Sequence, residues 1–251
     1  MSSHVVRPLV WRASRVVTEV TLLGGLYLLY RTGRLAVTGE LAEAFRNASV
    51  IRQLERWLHL PSEASFQALF DSAPLLLGAA NVYSVSVHFP LTIVFLVWGF
   101  LRRSVAEYEW ARNLIIMQTG LSLVIGMLFP LTPPRMFPEW GFVDTMTTIG
   151  PSAYSGAGAQ LANQYAAMPS LHVGWAFLIA YVVYRTGPRI LANLAIGHVV
   201  ITLLVVTVTA NHWWLDCAVG VLLLCAARLV QGPAPTRAGS TTEEPVDSLV
   251  H

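Results

Sequence analysis

Residues 169–230 read PSLHVGWAFLIAYVVYRTGPRILANLAIGHVVITLLVVTVTANHWWLDCAVGVLLLCAARLV, and this stretch decides the fold. It contains three apolar segments that are each long enough to be a membrane-spanning helix, near 169–186, 189–210 and 213–230. Two histidine motifs lie at segment entrances, Pro169-Ser170-Leu171-His172 and His212-Trp213-Trp214-Leu215-Asp216. An ionisable side chain is costly in an apolar segment, so both histidines are candidates for function.

The composition of the whole chain indicates an integral membrane protein. Of its 251 residues, 55% are hydrophobic and 12% are charged, and the mean hydropathy is +0.56. Soluble domains carry about 25% charged residues. Three further apolar segments lie near 14–31, 74–101 and 110–130. We therefore predict an all-α membrane protein, a bundle of six transmembrane helices whose second member is kinked or tilted at Pro90.

The chain is predicted to form a single membrane domain over residues 1–231, with its core at about 74–230. In the surface segment, residues 38–70, apolar residues at helical spacing alternate with arginine and glutamate, which predicts one or two amphipathic helices on the membrane. We interpret this segment as a packing collar, with substrate gathering as the alternative. Residues 232–251 are rich in proline, serine, threonine and acidic residues and are predicted to be a disordered tail.

The placement of arginine predicts the topology. If both termini are cytoplasmic, the cytoplasmic face receives a large set of arginines, as the positive-inside rule requires: Arg7, Arg12, Arg15, Arg102, Arg103, Arg112, Arg185, Arg189 and Arg228. The exceptions lie in and just before the surface segment, whose helices we expect to hold them at the headgroups: Arg31, Arg34, Arg46, Arg52 and Arg56. No small-residue cleavage site follows the apolar run from Val16, so the first segment is expected to remain a transmembrane helix. This topology brings His172 and His212 to the extracytoplasmic face of the plasma membrane.

Charge and cysteine usage exclude several classes of function. The net charge of +2 gives no argument for nucleic acid as a partner, and all sixteen basic residues are arginine, which excludes chemistry that needs a Schiff-base or P-loop lysine. Cys217 and Cys225 lie about 12 Å apart along one predicted helix, too far to pair, and are interpreted as packing residues.

The spacing of the two motifs suits nucleophilic and acid–base chemistry. In the His212-x-x-x-Asp216 pattern the carboxylate lies on the same helical face as the imidazole, so it can orient one ring nitrogen and leave the other as a nucleophile. His172 is a candidate general acid. Pro169 suits the first turn of a helix, which places Ser170 at an N-terminus that favours anions.

These motifs resemble those of a known family. Asn163-Gln164-Tyr165-Ala166-Ala167-Met168-Pro169-Ser170-Leu171-His172 and Asn211-His212-Trp213-Trp214-Leu215-Asp216 are similar to the second and third signature motifs of the type-2 phosphatidic acid phosphatase superfamily. The branch that they resemble most contains inositol phosphorylceramide synthase. Supporting stretches are His88-Phe89-Pro90 and Thr132-Pro133-Pro134-Arg135-Met136, and the resemblance covers roughly residues 74–230.

The resemblance implies a six-helix membrane enzyme that transfers a phosphoryl or phospho-alcohol group through a phosphohistidine, with no metal and no cofactor. By position, His212 is the nucleophile, Asp216 its orienting partner and His172 the acid for the leaving group. Ser170 and Arg135 are the candidate phosphate-binding residues. The remaining candidates, for substrate binding, are Tyr83, His88, Asn163, Tyr165 and Asn211. His198 is interpreted as a packing or interhelical hydrogen-bonding residue. The loop acids Glu139 and Asp144 are interpreted as solvated, with binding of a polyol hydroxyl as the alternative, and Trp213 and Trp214 are assigned to an interfacial aromatic belt.

Two departures from the family pattern affect the phosphate site. The pattern has lysine where this chain has Leu128, and arginine where it has Val206. An oxyanion in a water-poor site needs preorganised positive charge, and we expect Arg31 or Arg34 to supply it. The alternative is a phosphodiester substrate, which carries one negative charge fewer than a monoester.

Three functions stay open at this point. An alcohol acceptor such as inositol gives a phosphotransferase acting on a membrane lipid, which is favoured by the resemblance, and water as acceptor gives a lipid phosphate phosphatase. A lipid or proton-coupled transporter that uses the histidines as a relay is the non-enzymatic alternative. Paired or inverted repeats would favour the transporter, and the sequence contains none. The sequence leaves the oligomeric state undetermined.

Overall fold

A computed structural model describes residues 3–36, 41–149 and 167–235. Within these ranges the regular secondary structure is helical and no β-strand is present. The ten α-helices are α1 Ser3–Ala36, α2 Leu41–Trp57, α3 Glu63–Ala68, α4 Pro74–Ser86, α5 His88–Arg102, α6 Val105–Leu128, α7 Thr145–Thr148, α8 Leu171–Thr186, α9 Arg189–Val208 and α10 Trp214–Gln231. Two 3₁₀ turns, Pro134–Met136 and Pro138–Trp140, lie between α6 and α7.

Three or four membrane spans can be recognised by length and composition. Helices α6, α9 and α10 are long and apolar enough to cross a membrane, and α4 with α5 forms a fourth candidate span that bends by 41° between Ser86 and His88. The predicted interruption of the second span is thus present, but it lies just before Pro90. An all-helical membrane protein is confirmed, whereas the predicted count of six spans is not.

The two missing candidates fail for different physical reasons. Helix α1 is long enough, but Arg15, Glu19 and Arg31 lower the hydropathy of the predicted span at 14–31. Helix α8 is apolar but has only 16 residues, about 24 Å at the usual rise per residue, which is shorter than a hydrocarbon core of about 30 Å.

Helix α8 lies at the centre of the bundle. It packs against α9, α10, α6 and α5, while α1 packs against α6 and α4 packs against α9. Small side chains permit the closest approach: Gly174 of α8 faces Gly220 of α10, and the Gly220 carbonyl accepts a hydrogen bond of 2.9 Å from Gln118 Nε2 on α6. Large apolar side chains of α5 and α9 point away from the bundle, as expected for surfaces that face lipid.

The two ends of the bundle differ in charge. At one end Arg103 Nη1 donates to the carbonyl of Thr186 over 2.6 Å, which joins the end of α5 to the end of α8. Arg185 and Arg228 lie in the last turns of α8 and α10, at the same ends of these helices. His172 and His212 lie at the opposite, N-terminal ends of α8 and α10. These three arginines and the histidine motifs are therefore on opposite sides of the bundle.

The surface segment forms two helices, as predicted, and both contact the N-terminal end of α10. Glu55 of α2 accepts a hydrogen bond of 2.8 Å from Leu215 N, and Glu63 of α3 accepts one of 3.1 Å from Trp214 N. Both carboxyl groups are buried, although we grouped the glutamates of this segment with its polar residues. Burial raises the pKa of the Glu55 carboxyl to about 9, with a further contribution from nearby Glu63, and burial also raises the pKa of Glu63. These contacts favour the packing interpretation of the segment.

We predict that replacing Glu55 by glutamine stabilises the protein at alkaline pH. The Glu55 pKa rises from 4.5 to about 9 on folding, so its contribution is fully present below pH 4.5 and is lost as the pH rises to about 9. Glutamine keeps the oxygen that accepts from Leu215 N and cannot ionise. The midpoint of thermal unfolding in detergent at pH 8 should rise by about 3–6 °C, roughly 1–2 kcal/mol.

The matched control for this prediction is Glu43→Gln. Glu43 is exposed on the same helix and pairs with exposed Arg46 over 3.9 Å, so its replacement should change the unfolding midpoint by less than about 1 °C. A midpoint for Glu55→Gln that depends on pH as steeply as that of the wild type would contradict a buried, protonated Glu55.

We predict that the contact between α10 and the start of α8 does not tolerate a methyl group at position 220. The Cβ of an alanine there would overlap the backbone carbonyl oxygen of Ser170, and backbone yields little, so Gly220→Ala should destabilise the protein by about 1–3 kcal/mol. Gly197→Ala on α9 is the control, because a Cβ there meets open space and alanine favours a helix. Circular dichroism melts of the two variants should therefore shift in opposite directions, and equal melts would contradict the packing described.

Candidate active site

The two histidine motifs meet where α8 and α10 begin. Ser170 caps α8, with its Oγ accepting from Val173 N over 3.4 Å. Ser170 N in turn donates to the Asp216 carbonyl over 3.1 Å, which holds the start of α8 against the first turn of α10. The Ser170 hydroxyl, a candidate phosphate ligand, thus also has a structural contact.

A tight reversal after α9 positions His212. Ala210 has a positive φ of 49°, a left-handed conformation that is unfavourable for alanine. Asn211 N donates to the carbonyl of Val206 over 3.0 Å, which closes the end of α9. Helix α10 begins at Trp214, three residues after Asn211, so His212 lies on the short connection between two helices.

Asp216 orients His212. Its Oδ1 lies 3.1 Å from His212 Nδ1, and its Oδ2 accepts a hydrogen bond of 2.9 Å from Trp213 N. Asp216 is fully buried, so a carboxylate with two fixed partners determines the orientation of the imidazole. The spacing of the motif predicted this shared face.

The second nitrogen of His212 points to His172. His212 Nε2 lies 3.4 Å from His172 Nδ1, and the two ring centroids are 5.5 Å apart. The two imidazoles predicted to meet at one face therefore do so. A reacting group that enters between them would meet a nucleophilic nitrogen on one side and a proton donor on the other.

Arg135 borders this pair through Asn211. Its backbone N donates to the carbonyl of Ala210 over 2.9 Å, and its guanidinium Nη1 donates to Asn211 Oδ1 over 3.3 Å. Its Nε lies 3.7 Å from Asp144 Oδ2. The prediction of a merely solvated Asp144 is wrong, because this residue also caps α7 by accepting hydrogen bonds from Met146 N and Thr147 N.

The two positions at which the family pattern has a cation carry apolar side chains in this chain. Val206 is buried in an apolar cluster with Val173 and Cys217, and Leu128 is exposed at the end of α6. Arg31 is exposed on α1, and the side chain of Arg34 lies outside the described residues. The supply of charge by either arginine stays a prediction.

Three side chains of α4, α5 and α9 extend the site behind His172. The ring of His88 lies 4.9 Å from that of His172 and stacks on that of His198 at 5.7 Å. His198 Nδ1 is hydrogen bonded to the hydroxyl of Tyr83, which also lies 3.1 Å from Thr202 Oγ1. The predicted interhelical role of His198 is confirmed, but its place behind the histidine pair was missed, because sequence spacing does not report which helices cross.

Three further predictions concern the loop before α8, the side chain of Trp213 and the tail. Asn163 and Tyr165 lie outside the described residues. Trp213, assigned to an interfacial aromatic belt, is fully buried among Phe137, Trp140 and Phe142, and its Nε1 donates to the carbonyl of Thr132 over 2.9 Å. The predicted tail begins at 232, and the part of it that the structure describes is packed, since Gly232 accepts a hydrogen bond of 3.2 Å from Trp110 Nε1.

The buried pair Glu55 and Glu63 was not recognised from the sequence as a neighbour of the site. The carboxyls bind the backbone of Trp214 and Leu215, directly before Asp216. The available signal was the glutamate at an inward position of an otherwise apolar helical face. Within the described ranges, no group of three or more histidine, cysteine, aspartate and glutamate residues is arranged to hold a metal ion.

Comparison with known proteins identifies the family to which the chain belongs. A family model described as PAP2 superfamily matches residues 49–230, more than two thirds of the 251 residues. The match begins within α2, so it includes most of the surface segment as well as the bundle. No curated protein and no solved structure matches the chain. The chain therefore belongs to the PAP2 superfamily, a classification that indicates phosphatase or phosphotransferase activity on lipid phosphates.

Proposed function

We propose that this protein is a membrane phosphotransferase that acts on a lipid-linked phosphate through a phosphohistidine on His212. One observation carries the proposal: His212 Nδ1 is held by Asp216 while its Nε2 faces His172. A packing histidine needs neither a buried carboxylate on one nitrogen nor a second imidazole on the other.

In the first half-reaction, the lone pair of His212 Nε2 attacks phosphorus and the bond from phosphorus to the leaving oxygen breaks. His172 donates its proton to that oxygen, so the lipid alcohol leaves neutral. Asp216 stabilises the positive charge that develops on the His212 ring. In the second half-reaction, the acceptor hydroxyl gives its proton to His172 and attacks phosphorus, which frees His212.

The charge of the site favours a phosphodiester and an alcohol acceptor. Arg135 is the cation that borders the histidine pair, and Asp144 offsets part of its charge at 3.7 Å. A dianionic monoester needs more positive charge than a monoanionic diester. We therefore place the transferase, with a polyol such as inositol as acceptor, before the phosphatase that uses water.

We further propose that the site faces the extracytoplasmic side of the plasma membrane, with both termini in the cytoplasm and with α1 and α8 crossing alongside the other spans. The opposite placement of Arg103, Arg185 and Arg228 at the far end of the bundle supports this orientation. The substrate is then a lipid of the outer leaflet. The short α8 is compatible with this arrangement because neighbouring helices surround it on several sides.

We predict that His212→Ala abolishes turnover and that Asp216→Asn strongly reduces it. Loss of the nucleophile should lower the rate by at least about a thousandfold, and loss of the orienting carboxylate by about 10²–10⁴-fold. Purified protein would be mixed with phosphate-labelled lipid, quenched in alkali, and searched for label on position 212. Label should appear in the wild type and be absent from His212→Ala.

The control for these variants is His59→Ala, an exposed histidine outside the site, which should retain wild-type turnover. If His212→Ala transfers or releases phosphate as fast as the wild type, the assignment of the nucleophile is wrong.

We predict that a polyol diverts the phosphohistidine from water. With a labelled lipid phosphodiester, added inositol should increase the yield of the product in which inositol carries the transferred phospho-alcohol group, and should reduce the release of the free phospho-alcohol formed by hydrolysis in proportion. Mass spectrometry of the aqueous phase measures both. A product distribution unaffected by inositol or by any other polyol would leave water as the acceptor and identify a phosphatase.

A further inference from the structure

His88 is the most anomalous polar side chain in the bundle. It is fully buried, and neither of its ring nitrogens has a hydrogen-bond partner among the described residues. A buried imidazole with two unsatisfied nitrogens loses its hydration without compensation.

Packing alone does not explain a histidine at this position. Its ring is surrounded by four aromatic rings with centroids 4.9–6.2 Å away, those of Phe89, His172, Trp175 and His198. A phenylalanine would fill such a box without leaving a polar atom unpaired. The imidazole is explained if one of its nitrogens forms a hydrogen bond in another state of the site.

The neighbour that can provide this hydrogen bond is His172. The centroids of His88 and His172 are 4.9 Å apart, whereas those of His172 and His212 are 5.5 Å apart with their nitrogens already at 3.4 Å. The distance between the rings of His88 and His172 therefore permits a hydrogen bond between their nitrogens. Rotation about the terminal side-chain torsion of His172, which is soft for histidine, brings a nitrogen of His172 towards His88.

We propose that His88 is the positioning residue of the general acid, as Asp216 is of the nucleophile. When a phosphate group separates His172 from His212, a ring nitrogen of His88 accepts the N–H of His172 that faces away from the phosphate. This hydrogen bond keeps the other N–H of protonated His172 directed at the leaving oxygen. After that proton is transferred, neutral His172 keeps its N–H to His88, and its free nitrogen is directed at the acceptor hydroxyl.

The surroundings hold His88 in place for this role. His198 stacks on it with an interplanar angle of 15°, and its own Nδ1 is fixed by the hydroxyl of Tyr83. Trp175 stacks on it with the same angle of 15°. The two stacked rings thus hold the imidazole of His88 beside that of His172.

The inference rests on the proposed function and predicts a specific kinetic signature. General acid catalysis matters when the leaving group is a poor one and contributes about 10²–10⁴-fold. It matters little when the leaving group is a much more acidic alcohol such as p-nitrophenol. A variant in which His172 is poorly positioned should therefore turn over substrates with a poor leaving group more slowly, and should turn over p-nitrophenyl substrates almost normally.

The test compares two phosphate esters in His88→Phe. Turnover of the lipid phosphodiester dioctanoyl phosphatidylinositol should fall at least tenfold, while turnover of the phosphodiester bis-p-nitrophenyl phosphate should fall less than threefold, and the midpoint of thermal unfolding should not decrease. His88→Gln, which retains an acceptor, should recover part of the lost rate. The control His59→Asn, at an exposed position with a φ of 56° that asparagine tolerates, should change neither substrate.

Three outcomes would overturn the inference. Equal losses on both esters would make His88 a packing residue, and equal turnover of both by His88→Phe and the wild type would make it dispensable. Independent, additive losses for His88→Phe and His172→Ala would show that the two rings do not act together.

A readout that needs no turnover separates this inference from the proposed function. In protein labelled with ¹⁵N-histidine, orthovanadate, an analogue of phosphate, should shift the His88 ring nitrogen to the position of a hydrogen-bond acceptor and fix one tautomer of His172. His88→Phe should abolish the second change. If the wild type turns over neither ester, the proposed function fails, and a vanadate spectrum with unchanged His88 and His172 signals then overturns the inference as well.

Discussion

The bond between buried Asp216 and His212 is the constraint on which the rest of the structure depends. A carboxylate with no exposed surface is tolerated only if its oxygens are satisfied, and Asp216 accepts from the imidazole at 3.1 Å and from Trp213 N at 2.9 Å. Its own carbonyl accepts from Ser170 N. One residue therefore fixes the ring of His212, caps the first turn of α10 and holds the start of α8 beside it. Together these contacts keep the two histidine motifs next to each other.

The surface segment also contacts the first turn of α10. The backbone N–H groups of Trp214 and Leu215, which a helix leaves unpaired at its N-terminus, donate to Glu63 and Glu55. The partial positive charge of a helix N-terminus favours these acceptors, yet the two carboxyls are too close to each other and to Asp216 for all to ionise at low cost. The raised pKa of the Glu55 carboxyl, about 9, reflects its burial first and this crowding second. Three acidic side chains from three helices thus surround one helical turn.

Local relations could be predicted from the sequence, and most long-range relations could not. The i,i+4 spacing of His212 and Asp216 reports neighbours on one helix, and this prediction agrees with the structure. The proximity of His172 and His212 was predictable because topology places two helix entrances at one face. The neighbours of His88 and the pairing of Arg135 with Asp144 depend on how α4, α5 and α9 cross and on how the loop before α7 folds. No spacing in the chain encodes those contacts. The count of six spans rested on apolar length, which the charged residues of α1 and the 16 residues of α8 do not satisfy.

The proposed phosphate site has few cations because an apolar residue occupies position 206 and because the charge of Arg135 is partly neutralised. Val206 completes an apolar cluster with Val173 directly beneath the start of α8, so a charged side chain at this position would have no water and no counterion around it. Arg135 is itself nearly buried and is partly neutralised by Asp144. A protonated His172 and the N-terminal turn of α8 then become the main additional sources of positive potential for a phosphate next to His212. One arginine, one imidazolium and one helix end match a single negative charge better than two. In such a site the protonation of His172 contributes to binding as well as to leaving-group chemistry, which raises the importance of every residue that holds its ring in place.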